Sequence, residues 1–195
     1  MQPFYNLPEA DRIALTERAI SEQRTVHERW EALGDSESSG WNARAALAAE
    51  WLSSHKSILD LGCGTMILEK YLDKNNKYIP SDVVKRDSRT IVIDYNLDTP
   101  PITPATGVAC LGVIEYLYSP TLMLKKLSEN YKACAISYCI TDAPQPLEPR
   151  RAHAWVNDFS HSEFEDLVLT SGWLIERSQP IDNVQNLWLL SSTNC

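Results

Sequence analysis

No stretch of this 195-residue chain approaches the roughly 18 consecutive apolar residues of a membrane-spanning helix. The N-terminus shows no basic flank followed by an apolar core, the mark of a secretory leader. These two absences predict a cytoplasmic protein with no membrane partner. Positive charge is scarce: 18 Lys and Arg stand against 26 Asp and Glu, a formal charge of -8. Attraction to a phosphate backbone needs the opposite sign, which makes nucleic acid an unlikely partner while leaving room for a local basic pocket. Close metal hooks are missing as well. The five cysteines are odd in number, and four residues separate Cys134 from Cys139 where a CxxC pair has two. Most of them sit in or beside apolar runs, where a free thiol behaves as a small hydrophobe. Neither a metal nor a disulfide framework is expected.

Two nucleotide signatures are also wanting. No GK[ST] occurs, which excludes the phosphate loop of nucleoside triphosphatases. A GxGxxG dinucleotide fingerprint begins at Gly62 and Gly64 but meets Ile67 at its third glycine. That glycine lets helix and strand pack closely over a pyrophosphate, so a nicotinamide or flavin protein is a weaker reading.

Hydrophobic residues make up 44% of the chain, enough for a sizeable core in one domain. The pattern predicts an N-terminal helix over 6–33, with Asn6 and Glu9 as a capping box and an intermittent apolar face through Ile13, Ile20, Val26, Trp30 and Leu33. Such a face suits a segment that covers a surface or closes a pocket. Residues 34–40 read as a loop and 42–53 as a second helix. Short apolar strands follow at 57–61, 77–82, 90–94, 107–112 and 133–140, with helices expected over 66–72 and 121–130. Pro80 favours a strand end or edge. Pro144, Pro146 and Pro149 mark an irregular connection. A helix capped by Ser160 or Ser162 comes next, then two closing strands over 173–178 and 183–191. Alternating strands and helices with a terminal strand pair predict one open, mostly parallel α/β sheet.

The stretch Ile58, Leu59, Asp60, Leu61, Gly62, Cys63, Gly64 is a buried strand running into two closely spaced glycines. It brings backbone amides up to a ligand at the strand's carboxyl end. Asp82 lies 20 residues after Gly62, where a carboxylate can accept both hydroxyl protons of a ribose. Asp94 ends the third strand, either near an adenine amino group or as a turn cap.

Together these residues resemble the class I S-adenosylmethionine-dependent methyltransferase superfamily of small-molecule type. The 58–64 stretch resembles its first motif, and Asp82 and Asp94 its acidic residues after strands two and three. Ala109, Cys110, Leu111, Gly112, Val113, Ile114, Glu115, Tyr116, with Pro120 beyond, resemble the fourth-strand motif. The resemblance runs over about 41–190 and implies a Rossmann-like, seven-stranded, mostly parallel sheet whose last strand is antiparallel and inserted between strands five and six. It implies S-adenosyl-L-methionine as cofactor, held by Arg44, Asp60, Gly62, Cys63, Gly64, Asp82, Asp94 and Leu111. Residues 1–40 would then be a helical extension or lid on a cofactor-binding domain of 41–195. The chain departs from the pattern at Met66, where many members have glycine, and at Thr106 and Gly107, which replace an acidic residue before strand four.

Arg44 has two readings, a bidentate partner of the cofactor carboxylate or an exposed helix arginine. The connection after strand five carries Arg150, Arg151, His153 and Trp155 on the side where acceptors bind in such enzymes. Glu115, Tyr116 and His153 are the candidate catalytic groups, His153 because imidazole titrates near neutral pH. No [DNS]PP[YFW] follows the fourth strand, and only one glutamate stands where protein arginine methyltransferases have two. Both absences favour a small or sugar-bearing acceptor methylated on oxygen or nitrogen, by a monomer or homodimer. The alternative is a methyltransferase-like binding or scaffold protein without catalysis.

Overall fold

A computed structural model of the chain describes residues 3–33, 41–143 and 149–194. The loop expected over 34–40, Pro144, Pro146 and Cys195 lie outside the described residues. The helices used below are α1 (Glu9–Glu22), α2 (Asn42–Trp51), α3 (Pro120–Asn130) and α4 (His161–Thr170). The strands are β1 (Ser57–Leu61), β2 (Lys77–Asp82), β3 (Ile91–Val92), β4 (Gly107–Leu111), β5 (Ala133–Cys139), β6 (Trp173–Pro180) and β7 (Gln185–Ser192).

The seven strands form one sheet in the order β3-β2-β1-β4-β5-β7-β6. β7 runs antiparallel to both β5 and β6, and the other pairs are parallel. The last strand is therefore inserted between the fifth and sixth. β4 and β5 are buried at every residue, as continuous apolar runs in the middle of a two-sided sheet should be. Pro80 pairs only with β1, because β3 covers β2 at Ser81 and Asp82 alone. Its missing N–H thus falls where no ladder bond is needed.

Alternation along the strands divides the core in two. Leu59, Leu61, Val108, Cys110, Cys134, Ile136, Trp188 and Leu190 pack on one face with Met123, Leu124 and Leu127 of α3 and Phe164 and Val168 of α4. Ile58, Ala109, Leu111, Ala133, Ala135 and Leu187 pack on the other with Ala45, Ala48, Ala49 and Leu52 at α2. The alanine stripe lets α2 approach the sheet closely. Ser160 caps α4 in a full capping box with Glu163, so the cap is Ser160 and not Ser162. Cys63, Cys110, Cys134 and Cys139 are buried free thiols. Among the described residues no helix is long and apolar enough to cross a membrane, and no group of three or more His, Cys, Asp or Glu is placed to hold a metal.

Two expected helices differ. The N-terminal one is broken: 3-10 turns over Phe4–Asn6 and His27–Arg29 flank α1, which Gln23 ends in a left-handed conformation. Pro8, not Asn6, occupies the N-cap position of α1. The helix expected over 66–72 is a single 3-10 turn, Leu68–Lys70. Met66 at φ 58 cannot continue a right-handed helix, and turn-forming residues 73–76 follow at once.

Candidate active site

Period two decides which side chains reach the site. The α2 face of the sheet carries Asp60 of β1, Leu111 of β4, Cys139 of β5 and Gln185 of β7 at its rim, one or two pleats beyond the apolar contacts of α2. All four line one cavity of about 210 Å³. Gly62, Cys63 and Gly64 form a wall, the first turn of α2 adds Arg44, and the turn after β4 adds Gly112, Glu115 and Tyr116. A smaller lobe of about 60 Å³ holds Asp82, Asp94 and Asn96 and shares Gly62, Gly112, Trp30 and Tyr116 with the first. Gly62 has φ 66, and a Cβ there would stand 2.6 Å from Val113 Cγ2, so any side chain at this position strains the turn after β1.

Arg44 is the unusual residue. It is 9% exposed, its guanidinium lies over Trp41 at 5.1 Å, and it rests against Gly112. Among the described residues it has no hydrogen-bonding or ion-pairing partner. Burial pulls its pKa below the ordinary value, while the nearby Glu115 acts the other way. A buried, unpaired cation is costly unless an anion meets it.

Two carboxyls face the same cavity. Asp60 accepts a hydrogen bond from the Tyr78 hydroxyl at 2.7 Å, and burial pushes its pKa up to about 7. Glu115 is 1% exposed. Its Oε1 accepts the Cys139 N–H at 3.0 Å, whereas Oε2 is buried without a partner. Burial raises its pKa as well. Tyr116, also raised by burial, accepts a hydrogen bond from Trp155 Nε1 at 3.1 Å.

The two nucleoside candidates are differently engaged. Asp82 Oδ2 accepts the Gly64 N–H at 2.9 Å, and Oδ1 accepts the Val84 N–H at 2.8 Å and Arg86 at 3.1 Å. Of about four lone-pair positions, one on Oδ2 remains for a ribose hydroxyl. Asp94 caps its turn through the Asn96 N–H at 3.0 Å and accepts Thr25 Oγ1 at 2.7 Å.

His153 does not reach the cavity wall. It sits behind Trp155, ring centroids 4.9 Å apart, with Nδ1 hydrogen bonded to the Tyr5 hydroxyl at 3.1 Å. Arg150 is a tether, bound to the Cys139 and Asn157 carbonyls and to Tyr138, and Arg151 holds Asp158. Sequence reasoning missed Tyr5, Arg29 and Trp30, which line the larger lobe. The approach of Arg29 and Trp30 follows the break after α1, which hydrophobic spacing does not reveal.

No protein-family model and no curated protein matches the chain. Solved structures do. The Burkholderia thailandensis 1,6-didemethyltoxoflavin-N1-methyltransferase, with bound 1,6-didemethyltoxoflavin and S-adenosylhomocysteine, superposes at TM-score 0.67 and 14% identity over 96% of this chain and 91% of that one. This chain has the class I methyltransferase fold. The mitomycin 7-O-methyltransferase MmcR gives TM-score 0.67 at 14% identity, over 97% of this chain and 70% of its own. The plantazolicin methyltransferase BpumL, in complex with a monoazolic desmethylPZN analog and S-adenosylhomocysteine, gives 0.63 at 13%, over 94% and 96%. Within that methyltransferase fold, the cavity described here lies at the carboxyl ends of β1 and β4, where open α/β sheets bind ligands.

Proposed function

We propose that the protein transfers a methyl group from S-adenosylmethionine to the oxygen or nitrogen of a small molecule. The observation that carries this reading is the buried Arg44 beside the glycine turn, its guanidinium over Trp41 and facing the cavity with no ion pair among the described residues. The donor set fits the cofactor. Arg44 would hold its carboxylate, Asp60 offers negative charge to its ammonium, and Asp82 keeps one acceptor position for ribose. Two similar structures hold S-adenosylhomocysteine, which supports the same assignment.

Bound there, S-adenosylmethionine would supply a methyl group on a sulfonium, so that an acceptor lone pair takes the methyl and the C–S electron pair stays with sulfur. The protein's task is then alignment and removal of one proton. Glu115 is suited to the second, since Oε1 is pinned by the Cys139 amide while Oε2 is bare. Burial raises its proton affinity, which strengthens it as a base. Tyr116, fixed by Trp155, retains its hydroxyl proton to orient the acceptor. His153 takes no part in this scheme.

A binding or scaffold role is the second reading. It is favoured by Asp82, three of whose acceptor positions are already filled by the protein. Calorimetry with S-adenosylhomocysteine and with NAD tests the cofactor: micromolar binding of the first and none of the second is expected. Release of S-adenosylhomocysteine on addition of an acceptor separates enzyme from scaffold.

A further inference from the structure

Four aromatic rings contribute to the wall of the larger lobe. Tyr5 and Trp30 come from the N-terminal segment, Tyr116 from the turn after β4, and Trp155 from the connection after β5. Trp30 meets Tyr116 edge-on, centroids 4.8 Å apart at 75°. Arg29 stacks on Tyr5 at 4.3 Å and on Trp30 at 4.6 Å, and Tyr5 is hydrogen bonded to His153. These contacts fix the rings before any ligand arrives. The polar groups beside these rings are mostly engaged, Arg29 on the Tyr5 and Trp30 rings and the Tyr5 hydroxyl on His153. The Trp155 N–H is spent on Tyr116, which leaves the Tyr116 hydroxyl proton and Glu115 Oε2.

We propose that the acceptor is a small, flat aromatic or heteroaromatic molecule bearing one nucleophilic hydroxyl or N–H, bound among Tyr5, Trp30, Tyr116 and Trp155. This rests on the methyltransferase reading above and narrows its substrate class. Arg12 and Arg29 lie over the Tyr5 ring, and Arg150 and His153 lie against Trp155, so these fixed walls meet a planar ring by edge-on contact, at little entropic cost. A sugar also stacks on such walls, but it brings several hydroxyls that each need a partner. The two unengaged polar groups beside the rings satisfy one nucleophile and leave a sugar's other hydroxyls bare. An aliphatic amine would leave most of the ring surface without a complementary face. The volume, about 210 Å³ for cofactor tail and acceptor together, suits one ring or a fused pair rather than a segment of polymer.

The test is binding to the full chain saturated with S-adenosylhomocysteine, using 5-hydroxyindole and 8-hydroxyquinoline as planar probes. Methyl glucoside and hexylamine are the competitors in class. The planar probes should bind at least tenfold more tightly than either. Tyr5→Leu and Trp155→Leu should each weaken them at least fivefold, and S-adenosylhomocysteine affinity should be unchanged in both. The proposal is overturned if glucoside or hexylamine binds as well as the planar probes, if neither planar probe binds, or if both leucine variants bind them normally. The wild-type ranking decides it even where a leucine variant does not fold. Failure of S-adenosylhomocysteine itself to bind would overturn the methyltransferase reading and this inference together. Binding of it without a preference for rings overturns this inference alone.

Discussion

The Arg44 guanidinium occupies the space that a side chain on residue 112 would need: a Cβ on Gly112 would stand 2.7 Å from Arg44 Nη1. Gly112 also has φ 70, a left-handed value that costs any other residue energy. Gly112→Ala should therefore displace Arg44 as well as strain the turn. We expect a loss of about 1–3 kcal/mol in stability from the backbone term. Cofactor affinity should fall as it does in Arg44→Ala. Denaturant unfolding and calorimetry on the two variants check both parts; normal affinity in Gly112→Ala would detach Arg44 from the site.

Arg44→Lys separates charge from shape. An ammonium keeps the charge but cannot form the two parallel hydrogen bonds that a guanidinium gives a carboxylate. Affinity for S-adenosylhomocysteine should fall at least several-fold in the lysine variant and further in Arg44→Ala. Equal affinities in wild type and Arg44→Ala would show that the buried cation serves only the fold.

Asp60 makes the stability of the cofactor-free protein depend on pH. Its folded pKa is raised by burial to about 7, against the Tyr78 hydrogen bond that works to lower it. The unfolded value is about 3.9. The fold therefore favours the neutral acid, and this contribution is complete below about pH 4 and lost as pH rises through about 7. Unfolding free energy should fall on the order of 2–4 kcal/mol across that window, with Asp60→Asn flattening the slope. Urea titrations at a series of pH values measure it. An unchanged slope in Asp60→Asn would place the titration elsewhere.

Met66 tests how far this glycine turn has moved from a looser one. It holds φ 58 as a non-glycine residue, with its sulfur 3.6 Å from Arg89. Met66→Gly should relieve backbone strain of about 1–2 kcal/mol, less the entropy that glycine loses on folding. A net gain of up to about 1 kcal/mol in unfolding free energy is expected, read from denaturant curves. A net loss would mean that the Met66 side chain contributes more to packing than its conformation costs.

The readable parts of this molecule are those set by local chemistry. The strand before Gly62, the continuous apolar run of β5 and the Ser160 cap each follow from residue type and spacing, and the structure places all three as expected. Asp60, Glu115 and Arg44 reach one cavity because strand parity and the first turn of α2 bring them there. Trp30 fitted a helical apolar face in sequence, yet it meets Tyr116 edge-on, because the chain turns at Gln23. That turn is a non-glycine left-handed residue, for which the sequence carries no sign. His153 failed for a similar reason: its place depends on the path of a long connection, which Arg150 fixes through carbonyls distant from it.

Glu115→Gln is the sharpest test of chemistry at this site. Glutamine keeps the size of the side chain and an oxygen that can still accept the Cys139 N–H, so the junction of β4 and β5 should persist. It cannot take a proton at neutral pH. If Glu115 Oε2 receives the acceptor's proton, turnover should fall by about 10²–10⁴-fold, the usual contribution of a positioned general base. Affinity for S-adenosylhomocysteine should stay within about threefold, a change of roughly 0.65 kcal/mol. Glu115→Ala would also leave the Cys139 amide unpaired, and a stability loss of about 1–3 kcal/mol should accompany its loss of turnover. The difference between the variants separates catalysis from support. Wild-type turnover in Glu115→Gln, with reduced stability only in Glu115→Ala, would make this carboxyl a strut between two strands. The acceptor would then have to lose its proton to solvent or arrive already ionised.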